Sequence, residues 1–449
     1  MKKTNRLLLP LRRLNLVLPL FLLLPLVRPT LKAQINYTGE INPSVMTRTS
    51  DRTQINLPFR LLSLDLGYTM GSLDLKTVSA VEYRYDESES VYDLREAYLA
   101  YYPEWGEIKL GKQIHAWGAA DGNNPTDNLN PYDFYYLFEP GTGQKIGTLS
   151  FAAKLYIGNY QIEGVVIPVH EVSRIPYGEK DYPLSMDAEP EIEYPVKDEL
   201  EFGIRIQTSI GDSDFGLSIF TGSDRTPSVS TIYVLSPEDG RPRIIPQLGF
   251  RNTTSWGLDF VTFAGDFTIR GEGAIFKTKS QTLELDQLII PKDLYEFNQE
   301  IVYSQYVLQV EYTTVNDLTL SGQFIGNKVL KESYNWFHSL SSPRALVEFP
   351  TPDFNPGMGT PFAIFAEKAI LLNSMGVLMD DRLELKGSTM INLDKTGYMV
   401  SVSAGYSPWL NWKIEAALVQ FMGDKDDPEN SFTKMEDFSH TRLGLYYNF

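Results

Sequence analysis

Residues 397–406 read GYMVSVSAGY, and apolar and polar side chains alternate in this stretch with a period of two. One face of an extended strand carries Tyr398, Val400, Val402, Ala404 and Tyr406. An apolar strip with a tyrosine at each end is typical of a strand that faces lipid, because tyrosine rings concentrate at membrane interfaces. The stretch therefore predicts a membrane-spanning β-strand.

The same alternation recurs from Ile35 onward in runs of about ten residues, the length of a tilted membrane strand. In the run 305–313, one face carries Tyr306, Leu308, Val310 and Tyr312. A soluble β-sandwich would alternate too, since each strand has one face in the core and one in water. It offers no reason for tyrosines at both ends of the apolar faces.

The connections between the runs separate these two architectures, because they alternate between short and long. Short connections lie near 69–72, 103–106, 158–160, 211–214, 264–266, 315–317, 380–381 and 407–411. Between them lie the longer segments 115–145, 169–198, 223–250, 278–301, 327–359 and 422–438, with brief ones only near 86–90 and 394–397. Short turns at one end and long loops at the other are expected of an outer-membrane barrel.

This parity predicts an all-β fold, a closed antiparallel transmembrane barrel of eighteen strands, with sixteen as the alternative. The predicted strands are 35–42, 54–68, 72–84, 91–103, 106–114, 147–157, 160–168, 200–210, 213–222, 252–263, 266–277, 302–314, 317–326, 360–378, 382–392, 397–406, 411–421 and 439–449. The count is even, so both termini of the chain are expected on the periplasmic side. Short strands are expected within the loop at 232–245, where three prolines interrupt the pattern.

The first 33 residues predict export. Five basic residues precede the apolar core Leu14–Val27, and a small-residue cleavage site follows at Ala33. This core is shorter than the ~20 residues of a spanning helix, and Pro19 and Pro25 interrupt it, so a cleaved signal is favoured over an anchor. We expect a signal peptide over 1–33 and one barrel domain over 34–449.

Composition excludes several classes of protein. The chain has no cysteine, which excludes disulfides and thiolate metal sites and suits an oxidising compartment. Loss of residues 1–33 removes seven basic residues and no acid, so the formal charge changes from −17 to −24. Nucleic acid is excluded as a partner, because its phosphates require a basic surface.

The final strand has a flush apolar face. Leu443, Leu445, Tyr447 and Phe449 share this face, while Arg442 and Gly444 lie on the other. A terminal phenylalanine after alternating apolar residues resembles the signal that the outer-membrane assembly machinery reads. Tyr447 and Phe449 are the residues that would carry this signal, and in a soluble protein such an edge would favour aggregation.

The face opposite the apolar strips carries polar and charged side chains that would line the lumen. The candidates are Asp74, Lys76, Glu82, Arg84, Lys109, Gln113, His115, Trp117, Glu201, Arg205, Arg270, Glu272, Arg382, Glu384, Lys386, Lys413, Glu415 and Arg442. Acids and bases are interleaved, so no strong preference for anions is expected. The net acidity predicts a mild bias toward cations or neutral solutes.

A turn-rich loop follows the strand 106–114. Its Asp, Asn, Gly and Pro residues form Asx turns and fix φ angles, which predicts a structured loop. We expect residues 115–145 to fold into the barrel and narrow it. The candidate gate residues are Asp121, Asn124, Asp127, Asn130 and Asp133.

The segment around this loop carries the pattern G-K-Q-x-x-x-W-G at 111–118 and D-G-x-N-P-x-D at 121–127. Over residues 106–177 the chain resembles an uncharacterised family of porin-like bacterial outer-membrane barrels. The resemblance implies a channel or an exporter, in some members linked to hydrophobic cargo.

Metal binding and catalysis are both less favoured. Asp121, Asn123, Asp127 and Asp133 are hard oxygen donors, but their spacing departs from an EF-hand loop, and turn formation accounts for them. We predict no metal or cofactor, with calcium in 121–133 as the alternative. None of the four histidines lies in a G-x-S-x-G or H-x-x-x-H pattern, so no enzyme is predicted.

These features predict a porin-like channel for passive passage of small solutes, with outer-membrane lipid and the assembly machinery as partners. A barrel plugged by loops, which serves as receptor or export partner for hydrophobic cargo, is the alternative. A barrel hydrolase is the least favoured hypothesis. The predicted location is the outer membrane of a Gram-negative bacterium.

Overall fold

The structure, a computed structural model, describes residues 33–449 except 87, 140, 183–191, 236–242, 282–293, 339–345, 348 and 350. The predicted signal peptide therefore lies outside the described residues, apart from Ala33. Within the described part of the chain, no helix has the length and apolar character needed to cross a membrane.

Eighteen strands form one antiparallel sheet that closes on itself. They are β1 (Ala33–Ile41), β2 (Phe59–Met70), β3 (Leu73–Arg84), β4 (Glu89–Tyr101), β5 (Gly106–Gln113), β6 (Thr148–Ile157), β7 (Tyr160–Ile167), β8 (Glu201–Ile210), β9 (Ser213–Ser223), β10 (Arg251–Ala264), β11 (Phe267–Ser280), β12 (Leu294–Thr313), β13 (Thr319–His338), β14 (Lys368–Leu378), β15 (Leu383–Asn392), β16 (Gly397–Trp409), β17 (Trp412–Gly423) and β18 (His440–Asn448). Each strand pairs with the next, and β1 pairs with β18 to close the ring. The predicted closed barrel of eighteen strands is confirmed, and the sixteen-strand alternative is wrong.

Strand β1 is interrupted and then continues. The short strand Ser44–Arg48 pairs with the first half of β18, whereas β1 pairs with its last residues. Pro43 lies at the break, and proline cannot donate to a strand ladder. The chain end is tied in by mutual backbone hydrogen bonds of 2.9 and 3.0 Å between Gly39 and Phe449. The ring of Tyr447 lies 4.8 Å from that of Trp412.

Two predicted strands began too early, in each case because of a proline. β2 starts at Phe59, directly after Pro58, and only Gln54–Ile55 is extended before it. The predicted strand 360–378 begins instead with the 3₁₀ helix Pro361–Ile364, which Thr360 caps by accepting from the N–H of Phe362. Proline suits the first turn of a helix, where no donor is needed. The wall strand β14 begins only at Lys368.

Strands β12 and β13 are each 20 residues long, well beyond their predicted bounds. A hairpin of Ser228–Leu235 and Arg243–Gly249 pairs with the extended part of β12, so the short strands predicted in this loop are confirmed. Further short strands are Ile192–Tyr194 and Leu346–Val347. These elements build the external side of the barrel above the lipid.

The outer surface of the barrel carries an apolar band. Its most exposed members include Leu110, Phe151, Ile204, Leu217, Leu258, Leu308, Val402 and Leu443. At the end with short turns, exposed rings form a girdle that includes Tyr101, Trp105, Tyr156, Tyr160, Phe263, Phe267, Trp409 and Trp412. Such a band with an aromatic girdle faces lipid. The chain is therefore a transmembrane barrel of the outer-membrane type.

The interior of the barrel is partly filled by loops. Three short helices from the long loops lie there, and each carries at least one buried aromatic ring: Phe134–Tyr136, Ser431–Lys434 and Glu436–Phe438. A fourth, Gly141–Gln144, carries the buried Gln144. Apolar side chains of these loops pack against inward-facing wall residues in one cluster, which includes Phe134, Leu137, Phe362, Phe365, Phe421, Phe432, Met435 and Phe438.

Candidate functional site: the lumen and its inward loop

Residues 114–147, called here the inward loop, leave the wall at the end of β5 and return to it at β6. One side chain closes the base of the loop. The amide of Asn130 accepts from the N–H of His115 at 2.7 Å and donates to the carbonyls of Gln113 and Ile146, each at 2.9 Å. Asn130 therefore joins both arms of the loop, in keeping with the structured loop that its turn residues predicted.

The inward loop crosses the lumen to the opposite wall. Its residues Ala119 and Ala120 donate their N–H groups to the carboxylate of Glu272 on β11, at 2.8 and 3.2 Å. Thr126 donates both its N–H, at 2.9 Å, and its hydroxyl, at 2.7 Å, and Asn124 donates its amide at 3.1 Å. Glu272 is 5% exposed, so this buried carboxylate holds the loop with five hydrogen bonds.

The tip of the inward loop is bound next to Glu272. The carboxylate of Asp121 accepts from the amide of Gln309 at 2.6 Å, and Arg270 lies 3.4 Å from it. Gln323 donates to the carbonyl of Asp121 at 2.7 Å and accepts from Asn123 at 3.1 Å. Strands β11, β12 and β13 thus present a continuous polar surface that receives the tip.

Asp127 lies buried inside the inward loop. Its carboxylate is 3.5 Å from the ammonium of Lys145, which lies 3.9 Å above the centre of the Tyr132 ring. Burial raises the pKa of Asp127, although the charge of Lys145 opposes this rise. All five candidate gate residues therefore belong to this one loop, and their role as a gate stays a prediction.

A second external segment, residues 168–182, is clamped onto the wall and the inward loop by arginine–carboxylate pairs. Arg174 lies 2.9 Å from Glu82 on β3 and 3.1 Å from Asp133. Burial raises the pKa of Asp133 to about 6, although Arg174 opposes this rise. Arg84 donates two hydrogen bonds to Glu179, at 2.7 and 2.9 Å.

A charged cluster lines the wall at β15, β17 and β18. Lys413 lies 2.8 Å from Glu384 and 3.0 Å from Glu415. Arg442 lies 2.7 Å from Glu415, and Lys386 lies 2.8 Å from Glu384. These five predicted lumen residues are thus brought together, and positive and negative charges alternate around the cluster.

Arg382 does not belong to this cluster. The structure places it in the exposed turn 379–382 that precedes β15, so the assignment of Arg382 to the lumen wall is wrong. The predicted strand began at Arg382, but β15 starts at Leu383. Three consecutive residues, Met379, Asp380 and Asp381, have positive φ angles, so the turn takes the chain away from strand geometry before Arg382.

A polar cavity of about 240 Å³ lies beside the base of the inward loop. Lys109 pairs with Glu107 on β5, and Lys154 lies 3.8 Å from Glu163. Trp117 donates its indole N–H to Glu163 at 3.2 Å. Lys109, Gln113, His115 and Trp117 all line this cavity, in agreement with their predicted inward orientation.

His115 faces a serine rather than an acid. Its Nε2 lies 3.0 Å from the hydroxyl of Ser150, which is 1% exposed. Burial, together with the charges of Lys109 and Lys154, lowers the pKa of His115 to about 4. The imidazole is therefore neutral at pH 7. Together with Gln113, whose amide also contacts Ser150 at 3.1 Å, it packs the base of the loop.

Sequence reasoning missed several partners of the predicted lumen residues. Arg205 pairs with Asp259 at 2.7 Å, and Glu201 pairs with Arg225 at 2.7 Å and with His170 at 2.8 Å. Asp259 lies at an inward position of β10, so the alternation of side chains along this strand could have identified it as a lumen residue. Arg225 and His170 lie in loops, where no periodicity indicates orientation.

The oxygen donors of the inward loop are used within the protein. Asp121 binds Gln309 and Arg270, Asp127 faces Lys145, and Asp133 faces Arg174. Within the described ranges, no group of three His, Cys, Asp or Glu side chains is arranged to hold a metal ion.

No family model and no curated protein matches the chain. Similar solved structures include OmpT of Vibrio cholerae, with 10% identity and a TM-score of 0.40, covering 93% of this chain and 98% of that chain. OccK2 of Pseudomonas aeruginosa, solved with glucuronate, has 9% identity and a TM-score of 0.48, covering 93% and 98%. OccAB1 of Acinetobacter baumannii has 6% identity and a TM-score of 0.48, covering 93% and 95%. At these identities the similarity concerns the overall fold alone.

Proposed function

We propose that this barrel is a channel in the outer membrane of a Gram-negative bacterium, through which small solutes diffuse along a lumen narrowed by the inward loop. The observation that carries the proposal is the course of that loop, from β5 across the lumen to Glu272 on β11. A loop held against the far wall restricts the cross-section and brings its own polar groups into the path. The loop and the wall that faces it then determine the size and the chemistry of the solutes that can pass.

The charges along the lumen support passage without a strong preference for anions. Lys413 is flanked by Glu384 and Glu415, and Arg205 is paired with Asp259. At these two places each basic side chain is therefore balanced by a carboxylate, so neither Lys413 nor Arg205 is free to attract an anion. The proposal is for a mild bias toward cations or neutral solutes, with passive diffusion and no catalysed reaction.

Planar-bilayer recordings test this proposal. Purified protein in a potassium chloride gradient is expected to give discrete channel events with a reversal potential near zero or on the cation side. Lys413→Met leaves Glu384 and Glu415 without their shared cation and is expected to shift the reversal potential toward cations. Lys277→Met is the matched control, because Lys277 is exposed, 51% for its side chain, and lies at an outward position of β11. A reversal potential that favours anions would refute the proposed bias.

A plugged barrel for hydrophobic cargo is the second candidate. It is favoured by the apolar cluster inside the barrel, where Phe134 and Leu137 of the inward loop pack with Phe362, Phe432 and Phe438 of other loops. The two candidates differ in conductance. A channel gives events with the full chain, whereas a plugged barrel gives none until residues 115–145 are deleted.

We also propose that outer-membrane lipid covers the apolar band and that the assembly machinery recognises the final strand through Tyr447 and Phe449. Fractionation of a Gram-negative host that expresses the chain tests both points. Heat-modifiable, β-rich protein is expected in the outer membrane, and Phe449→Ser is expected to lower its yield. Recovery of the wild-type chain from the soluble periplasm would contradict the location.

A further inference from the structure

A cavity of about 480 Å³ lies between the inward loop and the other external loops. Four segments provide most of its wall: residues 127–137, 173–182, 225–229 and 352–365. The volume falls within the range of about 300–1,000 Å³ that is usual for small-molecule sites. Because all four segments belong to long loops, the cavity lies on the external side of the lumen.

Apolar and aromatic side chains dominate the wall of this cavity. Among the lining residues that are at most 9% exposed are Tyr132, Phe134, Leu137, Tyr182, Phe297 and Phe365. They come from three different loops and from the extended part of β12. A ligand that covers such a surface removes apolar area from water, which is the main source of affinity in pockets of this kind.

The two arginines of the wall are already occupied. Arg251 donates to Asp224 at 2.7 Å, to Gln299 at 3.0 Å and to the carbonyl of Asn355 at 2.7 Å. Arg225 lies 2.7 Å from Glu201 and also donates to backbone carbonyls of the inward loop. Each guanidinium is thus neutralised by a carboxylate before any ligand enters, so an anionic ligand gains no ion pair here.

The acids of the wall are balanced or exposed. Asp127 is compensated by Lys145 at 3.5 Å, and Asp353 is exposed at the rim. A cationic ligand would therefore lose its hydration inside the cavity without meeting a free carboxylate, which is costly for any charge. The charges of the wall therefore disfavour both anionic and cationic ligands and favour an uncharged one.

Three buried polar atoms of the lining residues have no hydrogen-bond partner within the described ranges: Nε of Arg225, Oγ of Ser228 and Oδ1 of Asp127. Buried polar atoms are usually satisfied, so such atoms call for a partner from outside the chain. Two of the three belong to side chains that already have their charge balanced. A ligand hydroxyl both donates and accepts, so it can satisfy any one of the three, whereas a carbonyl can accept only from Nε of Arg225 or Oγ of Ser228.

We propose that this cavity binds an uncharged, mostly apolar small molecule with one polar group, as the external holding site for a transported solute. The inference rests on the proposed function, since the cavity lies on the external side of the inward loop. It names the class of solute: neutral and apolar rather than an organic anion or an amine.

Calorimetric titration of the full barrel in lipid nanodiscs tests the proposal, with empty nanodiscs as the blank. The probes are 1-naphthol, 1-naphthoate and 1-naphthylmethylammonium, which share one ring system and differ in charge at pH 7. We expect one molecule of 1-naphthol to bind per barrel and both charged probes to bind at least about tenfold more weakly, because a buried unpaired charge is costly. Equal or tighter binding of either charged probe would overturn the proposal.

Filling variants locate the site. Ala363→Phe and Thr226→Phe each place a ring at the cavity wall on a different segment and are expected to abolish 1-naphthol binding. Ala404→Phe is the matched control on the outward face of β16 and should leave binding unchanged. Heat-modifiability verifies that each variant folds, and retained binding in both folded filling variants would overturn the site. Conductance of the same preparations is measured separately, so failure of binding with intact channel events leaves the channel proposal standing.

Discussion

Replacement of Glu272 by alanine is the most direct perturbation of the inward loop. The carboxylate accepts five hydrogen bonds, from the N–H groups of Ala119, Ala120 and Thr126 and from the side chains of Asn124 and Thr126. Alanine provides no acceptor, so all five donors lose their partner at once. The loop then keeps its other contacts, among them those with Gln309, Gln323, Arg174 and Arg225 and those at its base.

Two opposing contributions determine how much Glu272→Ala destabilises the closed loop. Hydrogen bonds to a charged group contribute about 1.5–3 kcal/mol each, which for five bonds gives an upper limit of about 7–15 kcal/mol. Removal of the buried carboxylate also removes its desolvation cost, and water can enter to hydrate the freed donors. Loss of one partner in a buried charged network costs about 3–5 kcal/mol in practice. We therefore expect the free energy for opening residues 119–126 to fall by about 3–5 kcal/mol in Glu272→Ala. The equilibrium constant for opening then rises by a factor of about 10² to 10³·⁵.

Hydrogen exchange of the barrel in lipid nanodiscs measures this opening. Peptides that contain Ala119, Ala120 and Thr126 are expected to exchange at least about 100-fold faster in Glu272→Ala. Glu300→Ala is the matched control, because Glu300 has an exposed carboxylate that pairs with Lys277 rather than with the loop. Unchanged protection of the loop in Glu272→Ala, or an equal loss in the control, would refute the assigned anchoring role.

Three further outcomes are expected. The folded pKa of Asp133 is raised to about 6 by burial, so the packed loop is most stable below the unfolded pKa and loses stability as the pH rises to about 6. Thermal unfolding between pH 4 and 7 should show this loss, and Asp133→Asn should flatten it; an opposite slope would contradict it. Gly203→Val is expected to loosen the inward loop, because a Cβ at Gly203 would lie 2.8 Å from Trp117, and exchange of the base of the loop should rise. Leu443→Lys places a charge on the lipid face of β18 and is expected to cost about 2–4 kcal/mol near the bilayer midplane, measured by unfolding in urea; a change below about 0.5 kcal/mol would contradict the lipid-facing assignment.

The wall of the barrel could be predicted because each strand shows its own alternation of apolar and polar residues. On the face of 397–406 that was assigned to lipid, Tyr398, Val402 and Tyr406 are exposed and Val400 is half-buried, whereas the alternate Met399 is only 6% exposed. Prediction failed where local backbone chemistry overrides alternation. Pro58 and Pro361 delay the strands that follow them, and the positive φ angles of 379–381 move Arg382 out of the wall.

The course of the long loops could not be predicted in the same way, because their contacts join distant parts of the chain. The inward loop has no periodicity that points to Glu272, which lies about 150 residues further along. Its length and its many turn residues predicted that it is ordered and that it folds into the barrel. Each loop residue binds a wall side chain that has no partner within the wall. Which wall side chains these are depends on the register between strands, which the sequence alone does not give.

The register explains why the loop binds at Glu272. Glu272 lies directly opposite Asp259 on the neighbouring strand, so two acids face the lumen side by side. Arg205 reaches Asp259 at 2.7 Å across Gly216, whose missing side chain leaves the space: a Cβ there would lie 2.4 Å from the Asp259 carboxylate. That pairing neutralises Asp259 and leaves Glu272 with no cation of the described residues within ion-pair distance. A buried carboxylate in this position requires donors, and the inward loop supplies five. The position of the loop across the lumen is therefore a consequence of charge balance in the wall, and Gly216→Ala should weaken it through Arg205 although it touches no loop residue.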